Sequence, residues 1–261
     1  AASLLRRLRN RYSRARRQGR PRRGQQSAAS RPGQLQASLW RVLRRGGERS
    51  KLLTARELPA TLGGRALYNA RNALFAAAMA HALGQPLEII RAGLKAFQPD
   101  LADSPGRLSM IEGLGFDLLV DFAHNAAQLK TVGEVIEGIE VKGRRICLLT
   151  VPGNRRDADI LASGAAAAGR FDSYICYERV DWHRGRKPGE IAGLLSRGLR
   201  EAGVAEERIE AGLEQDAAIA RAVELAAAGD LVAIFGSASV SSVPRFREAA
   251  ARAPERAALK A

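Results

Sequence analysis

Cysteine is scarce in this chain. Cys147 and Cys176 are the only two in 261 residues, and neither belongs to a CxxC pair. That spacing offers no zinc site and fits a reducing cytosol. Both thiols lie in apolar, strand-like runs, where cysteine behaves as a small buried hydrophobe. Long hydrophobic runs are also missing. No window approaches about 18 uninterrupted apolar residues, and the first residues lack the apolar core of a secretory signal, so the chain reads as cytoplasmic, with no membrane partner.

Acidic residues are almost absent from the first fifty positions, where fifteen Arg and no Lys face one acid, Glu48. The other positions hold 27 basic and 26 acidic side chains, so the formal charge of +15 belongs almost wholly to the head. Clustered Arg would release phosphate counterions and could act on nucleic acid. Against that partner, the head has no recognisable nucleic-acid module and no interleaved aromatics beyond Tyr12 and Trp40. It is nearly free of β-branched residues and is broken by Pro21 and Pro32. Such a segment cannot bury enough apolar surface to offset its ordering entropy. Residues 1–51 are therefore expected to be a disordered basic segment, or a non-native lead-in.

With 46% apolar residues overall, the chain can bury a sizeable core. Ala70 to Leu83 reads as an Ala-rich helix stopped by Gly84, and Pro86 to Ala96 as a second, with Leu87, Ile90, Leu94 and Phe97 at helical spacing. Residues 52–103 are thus expected to form a helical hairpin. Beyond the turn at Asp103-Ser104-Pro105-Gly106, strand-like segments fall at 108–112, 116–122, 145–151, 173–178, 208–212 and 231–236. Helix-like segments fall at 126–138, 157–169, 188–202, 215–228 and 244–253. This alternation predicts right-handed βαβ units and an α/β, Rossmann-like, mostly parallel sheet over 104–245, followed by a C-terminal helix and tail over 246–261.

Three polar clusters fall where such a sheet gathers ligand groups: Pro105-Gly106-Arg107, Asp121-Phe122-Ala123-His124-Asn125 and Pro152-Gly153-Asn154-Arg155-Arg156-Asp157. An Arg is a forked donor for phosphate, an Asp at a strand end can accept from ribose hydroxyls, and a His can pack on adenine. A Gly-containing helix start adds backbone donors. The chemistry these suggest is nucleotide binding. Each also has a plainer reading: Asp121 as an acid favoured by a helix dipole, His124 as a satisfied polar residue, Arg107 as a turn residue, Arg155 to Asp157 as ordinary helix-start charges. His183 reads as part of a solvated loop, and no metal site is expected.

Pro-Gly-Arg at 105–107 followed by Asp-Phe-Ala-His-Asn at 121–125 resembles the C-terminal domain of Mur-type ATP-dependent amide ligases, whose usual signature is D-Y-A-H-N/T-P. Upstream, Pro59 to Gly64 and the run Asn69-Ala70-Arg71-Asn72 to Ala78 look like the closing segment of that family's central ATPase domain. The loop at 152–157 is most similar to the cyanophycin synthetase branch. The resemblance covers about residues 52–240. It implies a carboxylate activated by ATP and attacked by an amine; in that branch, arginine is joined to the aspartate side chains of a polymer. It also implies ATP, magnesium and a homo-oligomeric parent enzyme. By motif position Arg107 approaches the phosphates, Asp121 the ribose, and His124 and Asn125 the base or its surroundings. Arg107 and His124 are the catalytic candidates, while Asn154, Arg155 and Asp157 face the incoming amino acid or the domain junction. Other members, of the peptidoglycan or folylpolyglutamate class, and a nucleic-acid-binding protein acting through the head, remain as alternatives.

The chain departs from the family pattern most in having no G-x-x-x-x-G-K-[ST] loop, so the phosphate cradle and the magnesium ligands are missing and no activity is expected from it alone. Ala126 stands for the usual Pro and Phe122 for the usual Tyr, which are milder changes.

Overall fold

Leu118, Leu119 and Val120 follow one another on a strand and all three are buried, which requires cover on both faces of the sheet. The computed structural model describes residues 40–45, 48–100, 103–236 and 239–260, with side chains over 51–100, 103–236 and 241–253. A hairpin of β1 (Trp40–Arg45) and β2 (Glu48–Thr54) comes first, then helices α1 (Leu67–Ala82) and α2 (Leu87–Ala96). The larger part alternates: β3 (Ser109–Ile111), β4 (Asp117–Asp121), α3 (Ala126–Glu137), β5 (Arg145–Leu149), α4 (Asp157–Ala167) and β6 (Ser173–Glu178). It continues with α5 (Glu190–Glu201), β7 (Ile209–Glu214), α6 (Gln215–Leu225), β8 (Leu231–Phe235) and α7 (Ser239–Lys260).

The six-stranded sheet has the order β3-β4-β8-β5-β6-β7, with β3 antiparallel to β4 and every other pair parallel. Successive side chains on one strand point to opposite faces, so each central strand feeds two cores. Leu119, Cys147, Leu149, Tyr174, Cys176, Ala233 and Phe235 share one core with α3, α4 and α5. Leu118, Val120, Ile146, Leu148, Ile175, Tyr177, Val232 and Ile234 meet α6 and α7 on the other. Together these give the doubly covered α/β sheet that the alternation predicts.

Two boundaries differ from the sequence expectation. Residues 40–45 and 48–51, which fall in the expected basic segment, pair as a hairpin whose strand β2 ends in Leu52 and Leu53, buried against α1 and α2. The earlier part of the Arg-rich head, residues 1–39, lies outside the described residues. The final helix begins before the expected boundary at 245, because Val243 and Phe246 already lie in the second core and Ala249, Ala250 and Ala253 continue the same face. Among the described residues, no helix is long and apolar enough to cross a membrane.

Candidate functional site

From β4 the chain passes through α3 to β5, yet β8 lies between those two strands. Strand order therefore switches at β4–β8–β5, and the carboxyl ends there open a crevice of the kind that receives ligands in α/β sheets. Asp121 ends β4, and it is buried. Its Oδ2 accepts from the Leu108 N–H and its Oδ1 from the Ala123 N–H, each at 2.8 Å. Burial pushes its carboxyl above the ordinary Asp range, against the opposing pull of those two donors, Arg107 and His124. Leu108 is buried with a φ of 52°, a left-handed conformation that costs a branched side chain about 1–2 kcal/mol. The Asp121 carboxylate pins that turn, and with it the exposed side chain of Arg107.

Arg107 and Asp121 line one wall of a cleft of about 890 Å³. Gln128 and Thr131 of α3 extend that wall, while Tyr68, Asn69 and Asn72 of α1 line the opposite one. Asn69 Nδ2 donates to the Ala60 carbonyl at 2.7 Å, and Asn72 Nδ2 to Asn69 Oδ1 at 3.2 Å, so both amides are oriented. The Tyr68 hydroxyl is pushed up by burial and by the Asp121 charge, partly offset by Arg107. These charges and the tyrosine thus act on one another across the cleft.

His124 and Asn125 sit beside this cleft. Asn125 is the N-cap of α3, its Oδ1 accepting from the Gln128 N–H at 3.0 Å. The His124 Nδ1 lies 2.8 Å from the Phe122 carbonyl, so this nitrogen is the donor and Nε2 is left for another partner. Its ring meets Phe122 and Trp182 edge-on, with centroids 5.1 and 6.4 Å away. The Arg107 guanidinium lies 5.3 Å from the Phe122 ring centre, and Arg179 lies 4.8 Å from that of Trp182. Two guanidinium groups thus flank an aromatic trio along the carboxyl rim.

The 152–157 loop continues this rim. Gly153 N donates to the Trp182 carbonyl at 2.8 Å, which ties the loop to the aromatic trio. Asn154, Arg155 and Asp157 are exposed, and Asp157 accepts from Arg186 at 2.6 Å. Arg156 is engaged elsewhere, its guanidinium forming two 2.9 Å bonds to Asp159. The structure brings Arg107 and Asp121 onto one cleft and sets His124, Asn125 and the 154–157 group next to it along the same edge.

A family model, the Mur ligase, glutamate ligase domain, matches residues 106–238. The chain belongs to this family. It is 35% identical over 181 residues to the cyanophycin synthetase of Trichormus variabilis, a match covering 69% of this chain and 20% of that protein. Against the cyanophycin synthetase of Synechocystis sp. it is 34% identical over 180 residues, covering 68% and 20%. The chain therefore spans about a fifth of the length of these curated relatives. Among solved structures, the folylpolyglutamate synthase of Mycobacterium tuberculosis complexed with ADP and AMPPCP aligns with a TM-score of 0.50 at 23% identity, over 71% of this chain and 39% of that one. A pseudomurein peptide ligase type C from Methanothermus fervidus aligns with a TM-score of 0.50 at 20% identity, over 82% and 40%. At those identities the likeness is one of fold.

Within this Mur ligase domain and its helical preface, several groups carry roles that their sequence positions do not reveal. Asn69 and Asn72 lie three apart on a helix and face the cleft, a spacing visible in the sequence but indistinguishable there from ordinary helix polarity. His183 is not solvated: its Nε2 lies 3.1 Å from Glu178 Oε2, and its side chain is largely buried. Glu178 also accepts from the Gly189, Ile191 and Ala192 N–H groups, so the start of α5 is already satisfied by a carboxylate from β6. Among the described residues, no three His, Cys, Asp or Glu side chains are placed to hold a metal ion.

Proposed function

We propose that this chain is the C-terminal portion of an ATP-dependent carboxylate–amine ligase of the cyanophycin synthetase branch, with nucleotide held in the cleft between α1 and the carboxyl rim. The observation that carries this reading is the convergence of Arg107 and Asp121 with Asn69 and Asn72 on one cleft of about 890 Å³. A volume of that order takes a nucleotide, and the lining offers a forked cation, a carboxylate and two oriented amides. When bound, ATP supplies the phosphoryl group that activates a carboxylate toward an amine. Arg107 serves by placing fixed positive charge where phosphoryl oxygens gather charge, which contributes electrostatics rather than covalent chemistry. Asp121, held by two backbone donors, has lone pairs left to accept from ribose hydroxyls. His124 presents Nε2 beside the base or the incoming amine, and Asn154, Arg155 and Asp157 border the acceptor. Arginine is the acceptor we propose, joined to an aspartate-rich polymer.

The chain contains no G-x-x-x-x-G-K-[ST] sequence, so in this reading the phosphate loop and the magnesium ligands are supplied outside these 261 residues and the chain alone has no turnover. The parent enzyme is proposed to be a homo-oligomer. The test is to graft residues 52–240 into the Trichormus variabilis enzyme in place of its matching segment and to assay ATP-dependent incorporation of arginine, lysine, diaminopimelate and glutamate. Selective use of arginine is expected. Preference for diaminopimelate or glutamate would move the chain to the peptidoglycan or folate classes, and turnover by the isolated chain would refute the division of labour.

A further inference from the structure

The 179–189 segment carries none of the residues placed at the cleft, yet it grips the neighbouring loop through one side chain. Arg186 is largely buried, its side chain 14% exposed. Its Nε donates to the Gly153 carbonyl at 2.8 Å, and its Nη2 donates to the Arg155 carbonyl at 2.7 Å and to Asp157 Oδ1 at 2.6 Å. Its Nη1 donates to Glu190 Oε1. Three of these four acceptors belong to the 153–157 segment, which runs from the carboxyl end of β5 to the first residue of α4, and the fourth to the first turn of α5. Only a planar fork with donors on three nitrogens can reach all four at once; a lysine ammonium is a compact point charge and cannot.

The loop has no slack on its other side. A Cβ at Gly153 would lie 2.1 Å from the His183 carbonyl oxygen, so the two backbones touch directly. Arg186 is itself anchored, its N–H donating to the His183 carbonyl at 3.0 Å while Glu178 fixes the start of α5. We propose that Gly153 O, Arg155 O, Asp157 and Glu190 form a guanidinium site filled from within the chain, and that Arg186 is the positioning residue for the 153–157 loop. The loop's role beside the acceptor amine rests on the ligase reading above, but the cradle rests on geometry alone.

The test is amide hydrogen exchange on the 261-residue chain carrying Arg186→Ala. The Gly153, Asp159 and Ile160 amides are expected to exchange about tenfold faster than in the parent chain, while amides of β5 and β8 keep their protection. Low-millimolar guanidinium chloride should restore the loop's protection, and equal ammonium or sodium chloride should not. Arg186→Lys, which also serves if the alanine variant does not fold, should expose the same three amides and gain from guanidinium less than the alanine variant does. Unchanged exchange in the loop, acceleration spread evenly through the sheet, or equal rescue by ammonium would each overturn the proposal. Because the readout needs no nucleotide, a failure of ATP to bind would sink the ligase reading and leave this result to stand or fall by itself.

Discussion

Asn125 shows how one residue type carries two legible meanings. By motif position it borders a nucleotide base, while in the fold its carboxamide oxygen caps α3. Asn125→Ala is expected to lower stability by about 1 kcal/mol, measured by urea denaturation, since one N–H at the helix start loses its acceptor. Asp230 makes a second residue-scale case at the opposite, amino edge of the sheet. Burial works to raise its carboxyl, but the Arg144 and Ala227 N–H groups and the Arg144 guanidinium outweigh it and hold the pKa below the ordinary Asp value. A carboxyl lowered on folding contributes stability that is full above its unfolded pKa and is lost as pH falls through the folded one. Asp230→Asn should therefore cost about 1–3 kcal/mol at neutral pH, with the gap to the parent chain closing below about pH 4. Denaturation curves at a series of pH values check both parts. The placement of Asp121 and Arg107 on the rim was legible because a strand end and a Pro-Gly turn mark themselves in sequence. Arg186, Glu178 and His183 were not, because most of their side-chain partners lie 5 to 33 residues away along the chain and only the fold brings them together.

At the scale of elements, alternation was readable because helix and strand periods differ, and every strand of the six-stranded sheet falls within about two residues of its expected segment. Strand order was not readable, since a buried apolar run such as Leu231–Phe235 does not say which neighbour it pairs with. The hairpin at 40–54 was hidden by the Arg-rich composition around it, its anchor being only Leu52 and Leu53. The contact between α4 and α5 was equally hidden. A Cβ at Gly164 would lie 2.2 Å from the Leu195 carbonyl oxygen, and one at Gly198 would lie 2.2 Å from that of Leu161. Replacing a helical Gly by Ala ordinarily gains about 1 kcal/mol, but here the added methyl meets the facing backbone. Gly198→Ala is expected to lose about 1–3 kcal/mol, seen as a lower urea midpoint at unchanged slope, and a gain would show that the two helices are farther apart than described.

At the scale of the whole molecule, the cleft exists only because the helical segment and the Mur ligase domain face each other, with α1 supplying Asn69 and Asn72 and the sheet rim supplying Arg107 and Asp121. Asn69, Asn72, Arg107 and Asp121 all lie outside residues 1–35, so removing those residues should leave the unfolding midpoint and nucleotide affinity of the remainder unchanged. Any RNA or DNA binding should go with them, since it would rest on clustered Arg and fall steeply with salt. The most direct measurement is calorimetric titration of ATP into the 261-residue chain and its Arg107→Ala variant. The account predicts weak, saturable binding to the parent chain, about tenfold weaker in the variant, or ~1.4 kcal/mol. Binding that is absent, indifferent to Arg107, or lost on removal of residues 1–35 would contradict a nucleotide site in this cleft.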